Sequence, residues 1–490
     1  MDKLRIALID SNTSWMSKSS AIPDQIVLPI GLMYLSSFLK KLFIKQLEIV
    51  VINTAIDIDR IDDLYTQLNI FKPNVVGFRV LTTNKGFFEE IIGIIKKQHP
   101  DAHIIVGGPH AACQPDEVLR LKEVNAIVIG EGELTFAELI ECILLEKDYY
   151  NIKGIGYVLN GKIIINTSRD PIKNLDDLPT PDYTSIDVEK YSRVLNYGYT
   201  IRKQGVILTS RGCPFSCSYC FKFLGQVYRK RSAENIYFEL ESLVQNYGIN
   251  DIFIVDDNFN IDRQRCVELF NLIIKNNLDI RLYFTSGLRG DLLDKELIDL
   301  MVEAGTIWIT FAVETVNQRL QRLINRIYDV DRMRENIVYA ESKKIMVGVF
   351  FMIGFPTEVK AEAMETINFI KELDCVTMPF IFGVKYFPGT KLTEYALENS
   401  YIRPETIDCI YKYYHNFDSI STSTMSNLDF KEIFYIYLRE IFLNKKRLGN
   451  ALKLQKSLLS DKEMAMLYSS FFNKKIEDPF VFFKKYLGNT

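Results

Sequence analysis

Three cysteines crowd into eight positions of the segment TSRGCPFSCSYCFK (209–222): Cys213, Cys217 and Cys220. A closed structural zinc site takes four protein ligands. No other cysteine or histidine lies within 40 residues on either side, and the nearest, Cys266, falls in a helical pattern. Three thiolates in a loop broken by Gly212 and Pro214 fit a [4Fe–4S] cluster with one iron left without a protein ligand. That iron can chelate an amino and a carboxylate group of a small molecule. The alternative is a zinc ion whose fourth ligand comes from a distant residue. Cys113, Cys142, Cys266, Cys375 and Cys409 show no close spacing and read as buried apolar residues.

These ligands need a scaffold that brings distant strand ends together. From residue 205 the chain alternates apolar runs with helical patterns. The runs are GVILTS, DIFIVDD, DIRLYFTS, TIWITFAV, IMVGVFFMIG and MPFIFGVKYF; helices are expected over 232–247, 291–304 and 358–373. Six β/α units predict an incomplete barrel with the cysteine loop after its first strand. Residues 1–165 alternate in the same way through LRIALID, LEIVVI, NVVGF, AHIIVGG and NAIVIGEGE. They predict a doubly wound parallel sheet, which binds ligands outside the carboxyl ends of its strands. Between the two lies SRDPIKNLDDLPTPDYTSID (168–187), whose prolines and lack of periodicity mark a linker on the surface.

The predicted organisation is thus α/β. It comprises a doubly wound domain over 1–165, a linker over 166–200, a partial (β/α)6 barrel over 201–395 and a mainly helical region over 396–490. The last region is rich in Tyr, Phe and Lys, and is expected to close the barrel mouth and shape a substrate pocket.

Composition excludes several classes. A net charge of −3 leaves no electrostatic footprint for nucleic acid. The longest apolar stretch, IMVGVFFMIGF, falls short of the roughly 20 residues that span a bilayer. The start, MDKLRIALIDSN, lacks the apolar core of a signal peptide, so a cytoplasmic protein is expected.

Cys-x-x-x-Cys-x-x-Cys in this setting resembles the radical S-adenosylmethionine (radical SAM) enzymes, and TSRGCPFSCSYC is close to the form in their cobalamin-binding branch. The resemblance implies that the open iron holds S-adenosylmethionine. Cleaving that sulfonium by one electron demands the low end of the roughly −700 to +450 mV cluster range and yields a 5′-deoxyadenosyl radical. Further segments match in order. DDNF (256–259) offers Asp256 and Asp257 to the methionyl amine, or as loop caps. GLRGDLLDKELIDLMVEAG (287–305) offers Arg289 to the carboxylate. FAVET (311–315) offers Glu314 to the ribose or amine, with Ala312 where the family has Gly. GFPTE (354–358) resembles the Gly-Phe-Pro-Gly-Glu turn by which backbone at Gly354 and Pro356 approaches the adenine; Thr357 replaces its second Gly. YFPGTKL (386–392) matches the turn of the last strand. Tyr219 packs on the adenine or in the core.

The first domain lacks Gly-x-Gly-x-x-Gly. VGGPHAACQPDEVL and IGEGELTFAEL resemble the cobalamin-binding domain preceding many such barrels, as do PIGLMYLSSFL and NLDDLPTPDY. The resemblance therefore covers about 390 of the 490 residues. It implies cobalamin contacts from Gly107, Gly108, Gly130, Glu131 and Gly132. Thr82 and Thr83 bond its tail or cap a helix. The Asp-x-His-x-x-Gly motif that ligates cobalt elsewhere is missing, and His99, His103, His110 and His415 fall outside any such pattern. Cobalamin without a histidine beneath the metal is expected. His110 would contact its tail or a loop. Arg79 either forms a surface salt bridge or lies below the corrin and discourages a cobalt ligand.

Taken together, the resemblance implies a C-methyltransferase. The adenosyl radical removes hydrogen from an unactivated carbon, methylcobalamin donates the methyl group, and a second S-adenosylmethionine remethylates cobalt. Ring rearrangement or cyclisation without methyl transfer is the sister possibility. A non-catalytic cobalamin or Fe–S sensor is the rival of another class. Methylthio transfer would need a second cluster, for which no cysteines remain. The expected partners are a small-molecule, peptide or lipid substrate and an electron donor such as flavodoxin or ferredoxin.

Overall fold

The computed structural model describes residues 3–12, 28–194, 202–409, 422–472 and 475–487. His415 lies outside them. The chain divides into two compact units, residues 1–195 with 222–225, and residues 196–221 with 226–490.

The first unit is built on seven strands: β1 (Leu4–Asp10), β2 (Leu47–Asn53), β3 (Val75–Arg79), β4 (His103–Gly107), β5 (Ala126–Val128), β6 (Ile155–Leu159) and β7 (Lys162–Ile165), in the order 2-1-3-4-5-6-7. Strands 1–5 pair in parallel, and the last two join antiparallel. The apolar runs are buried on both faces, as helix-covered parallel strands must be. One face packs Phe78, Ile91 and Ile95, the other Ile6, Leu39, Phe136 and Ile140. Because β1 lies between β2 and β3, the chain reverses direction across the sheet there. That switch point opens a crevice at the carboxyl ends of β1 and β3.

The linker is not a free surface segment. Asp182 accepts hydrogen bonds from Ser36 Oγ and Lys40 Nζ, each at 2.6 Å. Tyr191 donates its hydroxyl to Asp57. These ties bind the linker to the first unit as a strap.

In the second unit, β8 (Gln204–Ile207) leads to a short antiparallel ribbon, β9 (Ser210–Arg211) with β10 (Arg229–Lys230), that carries the cysteine loop as its connection. Then come β11 (Asp251–Ile254), β12 (Arg281–Leu288), β13 (Thr306–Glu314), β14 (Met346–Ile353) and β15 (Met378–Gly383). β8 and β11–β15 form a six-stranded parallel sheet in sequential order, the partial barrel expected. The helices between them start on side-chain caps. Ser232 accepts from the Asn235 N–H ahead of Ala233–Tyr247, and Asp294 from the Leu297 N–H ahead of Lys295–Glu303.

The C-terminal region was expected over the barrel mouth. Among the described residues it reaches both ends: Ile402 and Ile407 pack with Tyr219, Phe355 and Tyr386, and Thr424 Oγ1 donates to the Glu358 carbonyl at 2.7 Å, while the later helices hold the amino ends of the strands. Arg281, the first residue of β12, reaches Glu463 Oε1 at 2.9 Å, while Arg447 donates to the Val376 and Thr377 carbonyls just before β15. Tyr437 hydrogen-bonds the Pro379 carbonyl and packs on Phe351. The strand amino ends expose unpaired backbone and acidic side chains, and these buried guanidiniums satisfy them.

Candidate active site

Three elements fix the cysteine loop. Gly212 enters it at φ +80°. The Ser218 N–H donates to the Ile324 carbonyl at 2.9 Å, and the Ser218 carbonyl accepts from the Leu392 N–H at 2.9 Å. Asn325 Nδ2 reaches the Ser216 carbonyl at 3.1 Å. Cys217 is buried, Cys213 half-buried and Cys220 exposed, and none is in a disulfide. Three thiolates around a single zinc at about 2.3 Å must nearly touch one another. No group of three His, Cys, Asp or Glu among the described residues is gathered closely enough to hold one metal ion. Three cysteines without a fourth protein ligand suit a [4Fe–4S] cluster that keeps one iron open.

Glu314 ends β13 at a register shift, with φ +63°. Its Oε1 accepts from the Tyr219 hydroxyl at 3.3 Å. Loss of hydration pushes its carboxyl above the usual range, against the Arg326 guanidinium and the Tyr219 bond, which pull it down. The same burial and the Glu314 charge push the Tyr219 phenol well up.

Asp256 and Arg289 have protein partners, Asp256 in the loop hydrogen bonds that were its alternative reading. Asp256, 4 % exposed, accepts from the Thr209 N–H at 2.6 Å, from Thr209 Oγ1 and from Ser210 Oγ at 2.5 Å. It ties the end of β8 to the end of β11, and its oxygens are engaged. Asp257, next along, is exposed. Arg289 grips Asp291 through Nε at 2.8 Å and Nη2 at 2.7 Å, and its guanidinium lies 4.3 Å from the centre of the Phe215 ring in the cysteine loop. It supports the loop from behind as a cation on an aromatic face.

At the end of β14, Glu358 Oε2 accepts from the Gly354 N–H at 2.5 Å and the Phe355 N–H at 2.9 Å, while its buried Oε1 has no partner. Burial pushes its carboxyl up to about 8. Tyr386 donates to the Gly354 carbonyl at 2.7 Å. Thr357, where a glycine was expected, takes the left-handed φ +66° that β-branched residues avoid. Arg319 holds it through Oγ1 at 2.8 Å and its carbonyl at 2.9 Å.

The concave face of the sheet is apolar near its open edge. Val349, Phe351 and Ile353 are buried on the helix side of β14. The alternate Phe350 is half-buried, in register with Phe380, and meets the Phe380 and Phe382 rings edge-on at 5.5 Å. Gly287, at φ +91°, keeps this wall open: a Cβ there would come within 3.2 Å of Ala312 and Phe350.

In the first unit, the switch point holds a charged pair. Arg79 Nη1 lies 2.8 Å from Asp10 Oδ1, joining the ends of β3 and β1. Asp10 is 1 % exposed, and its Oδ2 has no partner. His110, also 1 % exposed after the end of β4, has an unpartnered Nδ1. Gly108 turns at φ +94°, where a Cβ would come within 3.0 Å of the Val80 backbone, and Gly130 faces open space. Orphaned polar atoms and bare backbone at strand carboxyl ends suit a large polar cofactor. Thr82 Oγ1 contacts Cys113 Sγ at 3.6 Å; Thr83 is half-buried. Glu131 Oε2 accepts from the Ile172 N–H of the linker, and Gly132 begins the helix Gly132–Leu144. His99 and His103 flank the amino end of β4, away from the crevice.

Residues 207–370 match the radical SAM superfamily and residues 23–140 the B12 binding domain. The chain belongs to the radical SAM superfamily, in the branch that carries a B12-binding domain. It is a cobalamin-dependent radical SAM enzyme, whose cofactors are a [4Fe–4S] cluster, S-adenosylmethionine and cobalamin. It is 29 % identical over 426 residues to an uncharacterized methyltransferase of Pyrococcus horikoshii, covering 85 % of this chain and 89 % of that protein. It is 25 % identical over 318 residues to the anaerobic magnesium-protoporphyrin IX monomethyl ester cyclase of Rubrivivax gelatinosus, covering 64 % of this chain and 56 % of that one. A structure of the methyltransferase TsrM from Kitasatospora setae, with cobalamin and [4Fe–4S] cluster bound, shares the fold at a TM-score of 0.68 and 20 % identity, covering 82 % of this chain and 79 % of that one. No described helix is long and apolar enough to cross a membrane.

Sequence reasoning missed Arg319, Arg326 and Lys385. Arg326 lies beside Cys217, and Lys385 follows β15 with its ammonium pushed down to about 8 by burial. Each stands in a segment without a motif of its own.

Proposed function

We propose that this enzyme is a C-methyltransferase acting on an unactivated carbon. When bound, the cofactors supply a hydrogen-abstracting 5′-deoxyadenosyl radical and a transferable methyl group. The chain's own residues bind, orient and exclude water. Cys213, Cys217 and Cys220 hold the cluster. Tyr219, Asp257, Glu314 and the backbone at Gly354 and Pro356 receive the nucleotide. Phe350, Phe380 and Phe382 offer the acceptor an apolar wall. The observation that carries this reading is the presence in one chain of a switch-point sheet with a B12-domain match and a cysteine-loop barrel. The methyltransferase relative, matched over most of its length, supports methyl transfer.

Cyclisation without methyl transfer is favoured by one observation, the match to the cyclase. Anaerobic incubation with S-adenosylmethionine, a low-potential reductant and cell extract separates the two. Methylation gives a product heavier by one methyl group, with S-adenosylhomocysteine alongside 5′-deoxyadenosine. 5′-Deoxyadenosine without S-adenosylhomocysteine would count against methyl transfer. The physiological electron donor would be a flavodoxin or ferredoxin, and the domains would follow the boundaries 1–165, 201–395 and 396–490, with a linker over 166–200.

Cobalamin would bind here without a histidine beneath cobalt. Its contacts would come from Arg79, Thr82, Thr83, Gly107, Gly108, His110, Gly130, Glu131 and Gly132. Supporting this, His99 and His103 sit at the wrong end of β4, while Arg79 stands at the switch point, oriented by Asp10. Electron paramagnetic resonance of the cob(II)alamin form tests it; hyperfine splitting from an axial nitrogen would overturn it.

A further inference from the structure

The stretch after the helix Gln318–Leu323 clamps the cysteine loop. Its Ile324 carbonyl and Asn325 amide hold Ser218 and Ser216, and Arg326 follows. Arg326 is 7 % exposed. Its Nη2 donates to the Ala312 carbonyl on β13 at 2.6 Å, its Nη1 lies 3.9 Å from Cys217 Sγ, and its Nε has no partner. Cys217, Tyr219 and Glu314 are the ionisable groups that bear on it. A guanidinium this buried is stable only where negative charge faces it. The Glu314 carboxyl supplies part of that charge. Cys217 supplies the rest once it ligates iron, because the ligand is the thiolate.

We propose that Arg326 is a positioning residue that sets the reduction potential of the cluster through Cys217. The inference rests on the cluster reading above. A cation donating to one ligand sulfur withdraws charge from the centre. It stabilises the form carrying one more electron over the form without it, so the potential is higher than it would be with a neutral side chain. The electron comes from an external one-electron donor, and no proton or bond change accompanies it. Anchoring by the Ala312 carbonyl keeps the second arm of the fork on the sulfur, a geometry that a lysine point charge does not reproduce.

The test is an anaerobic potentiometric titration of the full-length reconstituted protein, read by electron paramagnetic resonance of the reduced cluster. Arg326→Gln should lower the midpoint by a tenfold or larger change in the reduction equilibrium, about 59 mV for one electron. Iron and sulfide per chain should match the parent. Arg326→Lys should fall between. Asn325→Ala, which loosens the loop without removing charge, should keep the parent potential. An unshifted Arg326→Gln with full iron, or an equal shift in Asn325→Ala, overturns the proposal. If Arg326→Gln does not load iron, Arg326→Lys decides, and a parent-like potential there overturns it. Failure of the parent chain itself to bind iron would overturn the cluster reading, and is visible separately in the metal analysis.

Discussion

Tyr219 and Glu314 stand 95 residues apart, yet the tyrosine hydroxyl lies 3.3 Å from the glutamate Oε1. The cysteine loop and the end of β13 are thereby one unit. Tyr219→Phe removes the donor and leaves Glu314 buried with one fewer compensating group. One net hydrogen bond is worth about 1 kcal/mol, so S-adenosylmethionine should bind the reconstituted variant roughly fivefold more weakly, with iron content unchanged. Calorimetric titration checks this; parent-like affinity would mean that the pair does not shape the nucleotide site.

Glu358 makes stability fall with rising pH. Its folded carboxyl titrates near 8, above its ordinary range around 4.5. Between those values the folded chain keeps a proton that the unfolded chain has released. Stability is therefore full below the lower value, declines through the window and levels off above 8, by at most about 1.4 kcal/mol per pH unit. Glu358→Gln should flatten the decline in denaturation midpoint between pH 5 and 8 relative to the parent. Identical slopes in the two proteins would contradict the burial account.

Thr357 is a strained residue with an anchor. Left-handed backbone costs a non-glycine residue about 1–2 kcal/mol, and Arg319 offsets part of that through Oγ1. Thr357→Gly relieves the strain, keeps the carbonyl bond to Arg319 and loses only the hydroxyl bond. The thermal midpoint should stay level or rise by a few degrees. A sharp fall would show that the Arg319–Oγ1 bond outweighs the strain.

Glu463 ties the tail to β12. Arg281 still has Asp251 when Glu463 is cut back, but the Ser460 N–H and hydroxyl lose their acceptor too, so Glu463→Ala should cost at least about 1.5–3 kcal/mol, the worth of one hydrogen bond to a charged group. Differential scanning should record the loss, and nucleotide affinity should not move. Weakened nucleotide binding would place the tail nearer the site than its contacts indicate.

What was readable in the sequence followed locality. Apolar runs such as IMVGVFFMIG became strands nearly where expected, because a parallel strand buried on both faces needs little beyond its own residues. Thr357 was visible as a residue standing where glycine belongs, but its left-handed backbone emerges only from the structure. Which partners Asp256 and Arg289 take was not decided by the sequence. Whether a carboxylate faces a ligand or Thr209 depends on a partner 47 residues away, and Arg289 turns to Asp291 because the Phe215 ring backs it. Arg326 escaped notice because its significance lies in a sulfur 109 residues distant. The tail read as an aromatic-rich helix set, but periodicity cannot say which end of a barrel such a set will cap.

The anchoring of Arg447 and Glu463 at the amino ends of the strands has an evolutionary corollary. Exchanging the helices from Lys445 to Phe472 between relatives should transplant heat tolerance with them. Selection for a new acceptor would find its raw material elsewhere, in the ring-lined β14–β15 edge and the loops that crown it.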